Sequence, residues 1–255
     1  MNDSIDKNES KKIQTAVTWK YIVVTIFATI ISTLLAIFAV IAAPVAPFPG
    51  VSGLYLAAAI YVPLSLWLGG WGVLAGYFSC VILGFVQGFG AWSFYWALAD
   101  LFEGLLPLFI FRLTQTDVDI GKDLSKPKET YLLLGGLLIN LIIAAIATVF
   151  VLSLLWLITF LIAVGLLIVL YILNPSKPML LYIVFGVFGA SLISALFGIS
   201  GIILAGFGSL ETFATGVLGW FAGDVIVLSA IATPLMILLT KKIKQTSIFV
   251  ENWFV

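Results

Sequence analysis

The basic residues of this chain fall into four clusters that are separated by long apolar runs. All 12 Lys and Arg residues lie in the segments 7–20, 112–128, 177 and 241–244. Short cytoplasmic loops of membrane proteins collect Lys and Arg. If all four clusters are cytoplasmic, an even number of membrane spans must separate each cluster from the next. The pattern predicts eight spans with both termini in the cytoplasm.

The composition independently indicates an integral membrane protein. Hydrophobic residues make up 62% of the chain and charged residues 9%, whereas soluble domains are roughly half apolar. The mean hydropathy is +1.22. We therefore expect an all-α, polytopic helical bundle in the cell membrane, because a helix satisfies its own backbone hydrogen bonds in lipid.

The charge and the metal-ligating residues exclude several classes of function. The formal net charge is zero, so no basic face is predicted for a nucleic-acid partner. The chain has no histidine and one cysteine, Cys80, which lies in an apolar run. We expect no metal site, no cofactor and no intramolecular disulfide.

The spans follow from the requirement for about 20 apolar residues to cross the hydrocarbon core. The predicted spans are residues 19–43, 53–69, 72–89, 92–112, 131–153, 156–173, 180–205 and 213–240. Residues 131–173 are divided into two spans because a single helix of that length would be about 65 Å long, twice the thickness of the core. One transmembrane domain, 19–240, then lies between a disordered cytoplasmic tail, 1–18, and a short cytoplasmic tail, 241–255.

Three carboxylates inside the predicted spans are the main candidates for a functional site. Asp100 and Glu103 are three residues apart on one helical face, and Asp224 lies about midway along the last span. Acids within spans usually face a cavity or the bundle interior. No Lys or Arg is predicted at their depth, so their partners would be polar neighbours, bound cations or protons. The predicted ligand-binding residues are Asp100, Glu103, Asp224, Trp96, Trp220, Gln87 and Asn140.

A structural role for the same acids is the alternative. Polar side chains in spans also form interhelical hydrogen bonds that fix packing. An intramembrane enzyme is a third possibility, in which Asp100 and Asp224 would share a proton as an aspartyl dyad. The chain has no nucleophile elbow, metalloprotease helix or phosphate-binding loop. We therefore expect ligand binding without catalysis.

A weak internal repeat relates the two halves of the chain. WALAD at 96–100 is followed by Pro107-Leu108, and WFAGD at 220–224 is followed by Pro234-Leu235. Both hairpins would run in the same direction through the membrane, as in a parallel repeat. Repeats of this kind often frame a binding site where the halves meet.

Several short motifs carry a resemblance to a signalling family. PGVSGLYLA at 49–57, ADLFE at 99–103, WFAGD at 220–224 and TPL at 233–235 resemble the membrane-associated sensor (MASE-type) domains. The resemblance implies an eight-span sensory module that binds a small molecule. Members usually continue into an output domain, whereas residues 240–255 are too few to form one. A separate cytoplasmic signalling protein is therefore the expected partner.

A weaker resemblance concerns transport. Residues 94–112, with the core DLFEGL, are similar to the middle spans of the substrate-binding S components of energy-coupling-factor transporters. Those proteins usually have six spans. This resemblance implies capture of a vitamin or other small solute, with a transmembrane coupling subunit as the partner. The small residues Ala36, Ala39, Ala42, Ala43 and Ala46 would then form the coupling surface.

Overall fold

A computed structural model describes residues 2–42, 52–151 and 153–254, with the backbone alone for residues 2–18. These residues form eight helices and no strand. The helices are α1 (Asn2–Ala42), α2 (Ala58–Leu68), α3 (Gly70–Val86), α4 (Gly90–Leu113), α5 (Pro127–Val149), α6 (Ser153–Leu173), α7 (Lys177–Leu204) and α8 (Leu210–Lys244). The all-α prediction is confirmed, and each helix corresponds to one predicted span.

Six of the eight helices are long and apolar enough to cross a membrane. The exceptions are α2 and α3, with 11 and 17 residues. At 1.5 Å per residue α2 is about 16 Å long, too short to cross the hydrocarbon core alone. The predicted span 53–69 is therefore only partly helical, and its first residues are irregular.

The irregular stretch and α2 lie inside the bundle. Leu54 and Tyr55 are 5% exposed, and nine of the 11 residues of α2 are buried. Non-helical backbone at membrane depth is tolerated where protein surrounds it. The hairpin turn between α2 and α3 is made by Gly69, whose φ of 63° favours glycine.

The first helix is longer than expected. It begins at Asn2, so residues 2–18, predicted to be a disordered tail, continue the first span. This segment contains neither proline nor glycine, the residues that most readily end a helix.

The helices are arranged around α8. In the apolar segment of α8, 72% of the residues are buried, against 22% in the apolar segment of α6. Helix α1 packs on α3, helix α4 packs on α3 and α7, and α5 and α6 form a peripheral hairpin. The outer faces of α1, α5 and α6 expose large apolar side chains, including Phe27, Leu34, Leu132, Ile142 and Leu161. Such faces are typical of contact with lipid tails.

Contacts bring members of all four basic clusters to one end of the bundle, called here the basic end. Lys244 forms an ion pair with Asp117 at 2.7 Å, and Lys177 Nζ donates to the Thr114 carbonyl oxygen at 3.3 Å. Lys20 donates to the Ser247 hydroxyl. The four clusters were predicted to lie on one side of the membrane, and these contacts place members of all four at one end of the bundle.

Residues 245–254 fold back across the basic end and are called here the strap. Val250 N–H donates to the Trp67 carbonyl oxygen at 2.9 Å, and Gly70 N–H donates to the Trp253 carbonyl oxygen at 2.7 Å. Arg112 donates from Nη2 to Val250 O at 2.6 Å and from Nε to Asn252 O at 3.2 Å. The strap thereby joins the end of α8 to the α2–α3 turn.

The α3–α4 and α7–α8 hairpins contain the same turn. Gly88 and Gly206 have φ angles of 84° and 85°. The N–H of Phe89 donates to Gly84 O, and that of Phe207 donates to Ile202 O, each at 3.0 Å. This is the Schellman arrangement that ends a helix at a left-handed residue. A short 3₁₀ turn follows in both cases, which supports the internal repeat.

Candidate functional site

The acidic pair on α4 points into the bundle and meets two tyrosines. Asp100 and Glu103 are both 0% exposed. Tyr55, in the irregular stretch before α2, donates from its hydroxyl to Asp100 Oδ2 at 3.0 Å. Tyr61, on α2, donates to Glu103 Oε2. Each carboxylate therefore has one oxygen held by a buried phenol.

The third acid approaches the pair from α8. Asp224 is 1% exposed and lies within electrostatic reach of Glu103 and Asp100. Ser194 of α7 lies beside both Glu103 and Asp224, and its hydroxyl accepts a hydrogen bond from Trp220 Nε1 at 3.2 Å. Helices α4 and α8 thus bring the three buried acids within electrostatic reach of one another.

A small cavity lies beside Asp100. It is lined by Ser52, Tyr55, Cys80, Trp96, Asp100 and Trp220 and has no room for a water molecule. Two aromatic residues of the predicted set, Trp96 and Trp220, form part of its wall. Their ring centroids are 6.2 Å apart and their planes meet at 80°.

The buried polar atoms around this cavity are not fully satisfied. Within the described residues, no hydrogen-bond partner is found for Asp100 Oδ1, Glu103 Oε1 or Asp224 Oδ2. Trp96 Nε1, a donor, also has none there, although Trp96 is only 2% exposed. Buried polar groups normally find partners, and each unpaired one is costly. The site therefore has unused capacity both to accept and to donate hydrogen bonds.

A row of contacting aromatic rings leads from the cavity toward the end of the bundle opposite the basic end. Trp96 contacts Phe89 with ring centroids 4.8 Å apart, and Phe89 contacts Phe207 at 5.0 Å. Phe89 is 3% exposed, whereas Phe207 is 41% exposed. The two phenylalanines belong to the repeated turns. The internal repeat therefore places two contacting aromatic rings between the cavity and that end of the bundle.

Two residues of the predicted set lie elsewhere. Asn140 belongs to the α5–α6 hairpin, where its Nδ2 donates to the Thr159 carbonyl oxygen at 2.9 Å. Gln87 lies at the end of α3 and is partly exposed. Neither residue lines the cavity or hydrogen-bonds to the acids. Both residues were predicted to bind the ligand only because of their expected depth in the membrane. The sequence does not reveal which face of a span each residue occupies.

Three residues at the site were not predicted from the sequence: Tyr55, Tyr61 and Ser194. Tyr55 lies in the motif at 49–57, of which residues 49–51 are outside the described residues, and nothing in that motif marks the phenol as a partner for an acid. Ser194 lies in a row of small residues typical of helix packing. Cys80, expected to be a buried small residue, is buried and also lines the cavity.

The polar groups at the site are carboxylates, phenol and serine hydroxyls, and indole N–H groups. Among the described residues, no group of three His, Cys, Asp or Glu side chains is placed to hold a metal ion. No protein-family model, curated protein or solved structure matches the chain.

Proposed function

We propose that this protein is a multi-pass protein of the cell membrane that binds a small molecule at Asp100, Glu103 and Asp224 and acts as a sensory module through a partner. The ligand class that suits three carboxylates is a cation or a molecule with hydroxyl donors. The protein performs no covalent chemistry on this molecule.

The observation that carries the proposal is that one oxygen of each of the three buried acids has no hydrogen-bond partner among the described residues. If the three acids were purely structural, both oxygens of each carboxylate would be expected to accept hydrogen bonds from neighbouring donors. A buried carboxylate with only one oxygen hydrogen-bonded destabilises the fold. In the described core, hydroxyl groups are supplied by Tyr55, Tyr61 and Ser194. The basic residue of α4, Arg112, lies about three helical turns beyond Asp100 and binds carbonyl oxygens of the strap. A ligand would complete the set.

Capture of a solute for import is the second candidate, and one observation weighs against it. The coupling surface expected on α1 includes Ala36 and Ala39, which are 0% and 2% exposed on a helix that packs against α3. Ala42 is exposed, and Ala43 and Ala46 lie outside the described residues. The two alanines that the structure buries are unable to contact another subunit.

The basic end is proposed to face the cytoplasm, where Lys- and Arg-rich loops are retained. The test is labelling of intact cells with a membrane-impermeant maleimide, in a Cys80→Ser background. Leu210→Cys, at the opposite end and 82% exposed, should react in intact cells. Lys122→Cys, exposed in the α4–α5 loop, should react only after permeabilisation. The reverse pattern would invert the proposed topology.

The binding site is tested by thermal stability of the detergent-purified protein against vitamins, amines, nucleobases and inorganic cations. A ligand of the native state at a hundredfold excess over its Kd should add about 2.7 kcal/mol. The variant Asp100→Asn with Glu103→Gln should lose this stabilisation. Asp123→Asn with Glu129→Gln makes the same chemical change at two exposed carboxylates and should retain it.

Two outcomes would count against the proposal. One is a panel in which nothing stabilises the wild type while the double variant is merely less stable, which would assign the acids to packing. The other is a ligand that stabilises the wild type and the double variant equally. Co-purification of a transporter coupling subunit with its ATPases, in place of a signalling protein, would favour solute capture over sensing.

A further inference from the structure

Three aromatic side chains surround the cavity beside Asp100. Tyr55, Trp96 and Trp220 line it together with the carboxylate, and the two indoles stand nearly perpendicular, at 80°. Ammonium groups are attracted to the faces of Trp and Tyr rings within about 6 Å of their centroids, and aromatic cages are a common way to recognise them. The walls of this cavity therefore match an organic cation better than a neutral polar molecule.

The charges around the cavity agree with this assignment. Asp100, Glu103 and Asp224 are buried at 0%, 0% and 1% exposure, and no Lys or Arg takes part in their described hydrogen bonds. Ionisable groups within membranes usually pair with a group of opposite charge. A positively charged ligand would supply that counter-charge.

The unpaired atoms restrict the ligand further. Asp100 Oδ1 accepts no hydrogen bond from the described residues, and Trp96 Nε1 donates none to them. A ligand that satisfies both must carry an N–H for the carboxylate and an acceptor oxygen for the indole. A quaternary ammonium has no N–H, so it would leave Asp100 Oδ1 unpaired.

We propose that the ligand is a protonated amine that keeps at least one N–H and carries a hydroxyl or carbonyl oxygen a few bonds away. This inference rests on the proposed function and names the ligand class of the same site. The ammonium lies between Asp100 and the aromatic walls, and the oxygen accepts from Trp96 Nε1. Because the cavity is now too narrow for water, the indoles move apart when the amine binds, and tryptophan fluorescence changes.

Four small probes separate the contributions. N,N-dimethylethanolamine has the ammonium, the N–H and the hydroxyl. N,N-dimethylpropylamine replaces the hydroxyl by a methyl group, and choline replaces the N–H by a third N-methyl group. 3,3-Dimethyl-1-butanol in turn replaces the quaternary nitrogen of choline by a neutral carbon. Affinities are measured by calorimetry and tryptophan fluorescence with the purified full-length protein.

The expected order follows from the contacts. Dimethylethanolamine binds most tightly. Choline binds about 10- to 100-fold more weakly, because a hydrogen bond to a charged group is lost, and dimethylpropylamine about 2- to 10-fold more weakly, because a neutral hydrogen bond is lost. The neutral alcohol does not bind.

Variants assign each preference to its residue. Trp96→Phe keeps an aromatic wall but removes the N–H, and it should abolish the preference for dimethylethanolamine over dimethylpropylamine. Trp71→Phe removes another indole N–H that lacks a partner among the described residues, near the basic end, and should leave that preference intact. Asp100→Asn should abolish binding of both amines.

The possible failures are distinguishable. If the neutral alcohol or choline binds as well as dimethylethanolamine, or if Trp96→Phe keeps the hydroxyl preference, the amine assignment is wrong. If none of the four probes binds but another compound stabilises the wild type and not Asp100→Asn with Glu103→Gln, the binding site stands and the amine class falls. If no compound binds at all, both proposals fall.

Discussion

The indole of Trp96 on α4 meets the indole of Trp220 on α8 nearly edge to face, with centroids 6.2 Å apart. Each tryptophan precedes an aspartate of the site by four residues, about one helical turn. Glycines of α7 make room for both rings. Gly198 lies against the Trp220 ring, and a Cβ at Gly201 would lie 3.2 Å from Trp96 Cα.

The Gly198→Ala substitution should destabilise the bundle. Its Cβ would collide with the six-membered ring of Trp220, and overpacking of this kind costs about 1–3 kcal/mol. Unfolding in detergent measures the loss. Gly219→Ala on α8, where a Cβ would meet nothing within 4 Å, is the control and should be neutral or stabilising by up to about 1 kcal/mol. Equal effects of the two substitutions would contradict the packing described here.

The Tyr61→Phe substitution should also destabilise the protein, by about 1–3 kcal/mol, because it removes the hydroxyl that donates to the buried Glu103. The loss should shrink in a Glu103→Leu background, which a double-mutant cycle of unfolding free energies would measure. Tyr77→Phe is the matched control. Its hydroxyl makes a long exposed contact, 3.4 Å to the Phe94 carbonyl oxygen, so its loss should cost less than about 0.5 kcal/mol. Additive effects at Tyr61 and Glu103 would show that the two side chains do not interact.

Arg112→Gln should release the strap from the basic end. The substitution removes the guanidinium that donates to Val250 O and Asn252 O. Amide hydrogen exchange of Val250 and of Gly70, whose N–H donates to Trp253 O, should then become faster. Lys122→Gln, which removes an exposed charge in the neighbouring loop, should leave both rates unchanged. Protection that persists in Arg112→Gln would mean that the apolar contacts of the strap are sufficient.

The ion pair between Asp117 and Lys244 should make stability depend on pH. Partial burial acts to raise the pKa of Asp117, but hydrogen bonds from Lys244 and from the Asp119 N–H prevail and lower it. Because the folded-state pKa is depressed, the stabilisation is present above the unfolded value, about 3.9, and is lost as pH falls through the lower folded value. Asp117→Asn should therefore reduce stability at neutral pH, by less than about 1 kcal/mol for so exposed a pair, and have no effect at strongly acidic pH.

Asp119 provides a comparison of opposite sign in the same loop. Burial raises the pKa of Asp119, so its ionised form is disfavoured in the folded protein at neutral pH. Asp119→Asn should raise the melting temperature at pH 7 and lose that advantage as the pH falls below the unfolded value. A parallel pH dependence for the two variants would refute these assignments.

The sequence predicted the parts of the fold that depend on hydrophobic length and on charge. The eight helices follow from the spacing of apolar runs, and the gathering of the basic clusters follows from the spacing of Lys and Arg. The burial of Asp100, Glu103 and Asp224 follows from their positions within apolar runs. It did not predict the short α2, because the burial that permits irregular backbone at residues 52–57 is a tertiary property. Tyr61 and Asn140 illustrate the same limit of prediction. Both are polar residues in apolar runs, and only the packing of the helices decides which of them reaches the acids.

The course of α8 connects two distant regions of the molecule. Asp224 and Lys244 are separated by 20 residues, about 30 Å along a helix, and Thr240 between them accepts a hydrogen bond from Trp67 Nε1 at 2.9 Å. A π-helical segment at Leu228–Ala232 lies just beyond Asp224, and such segments often occur at functional sites. Because Asp224 and Lys244 lie on one continuous helix, we expect a displacement of α8 along its axis to alter the bundle core and the basic end together.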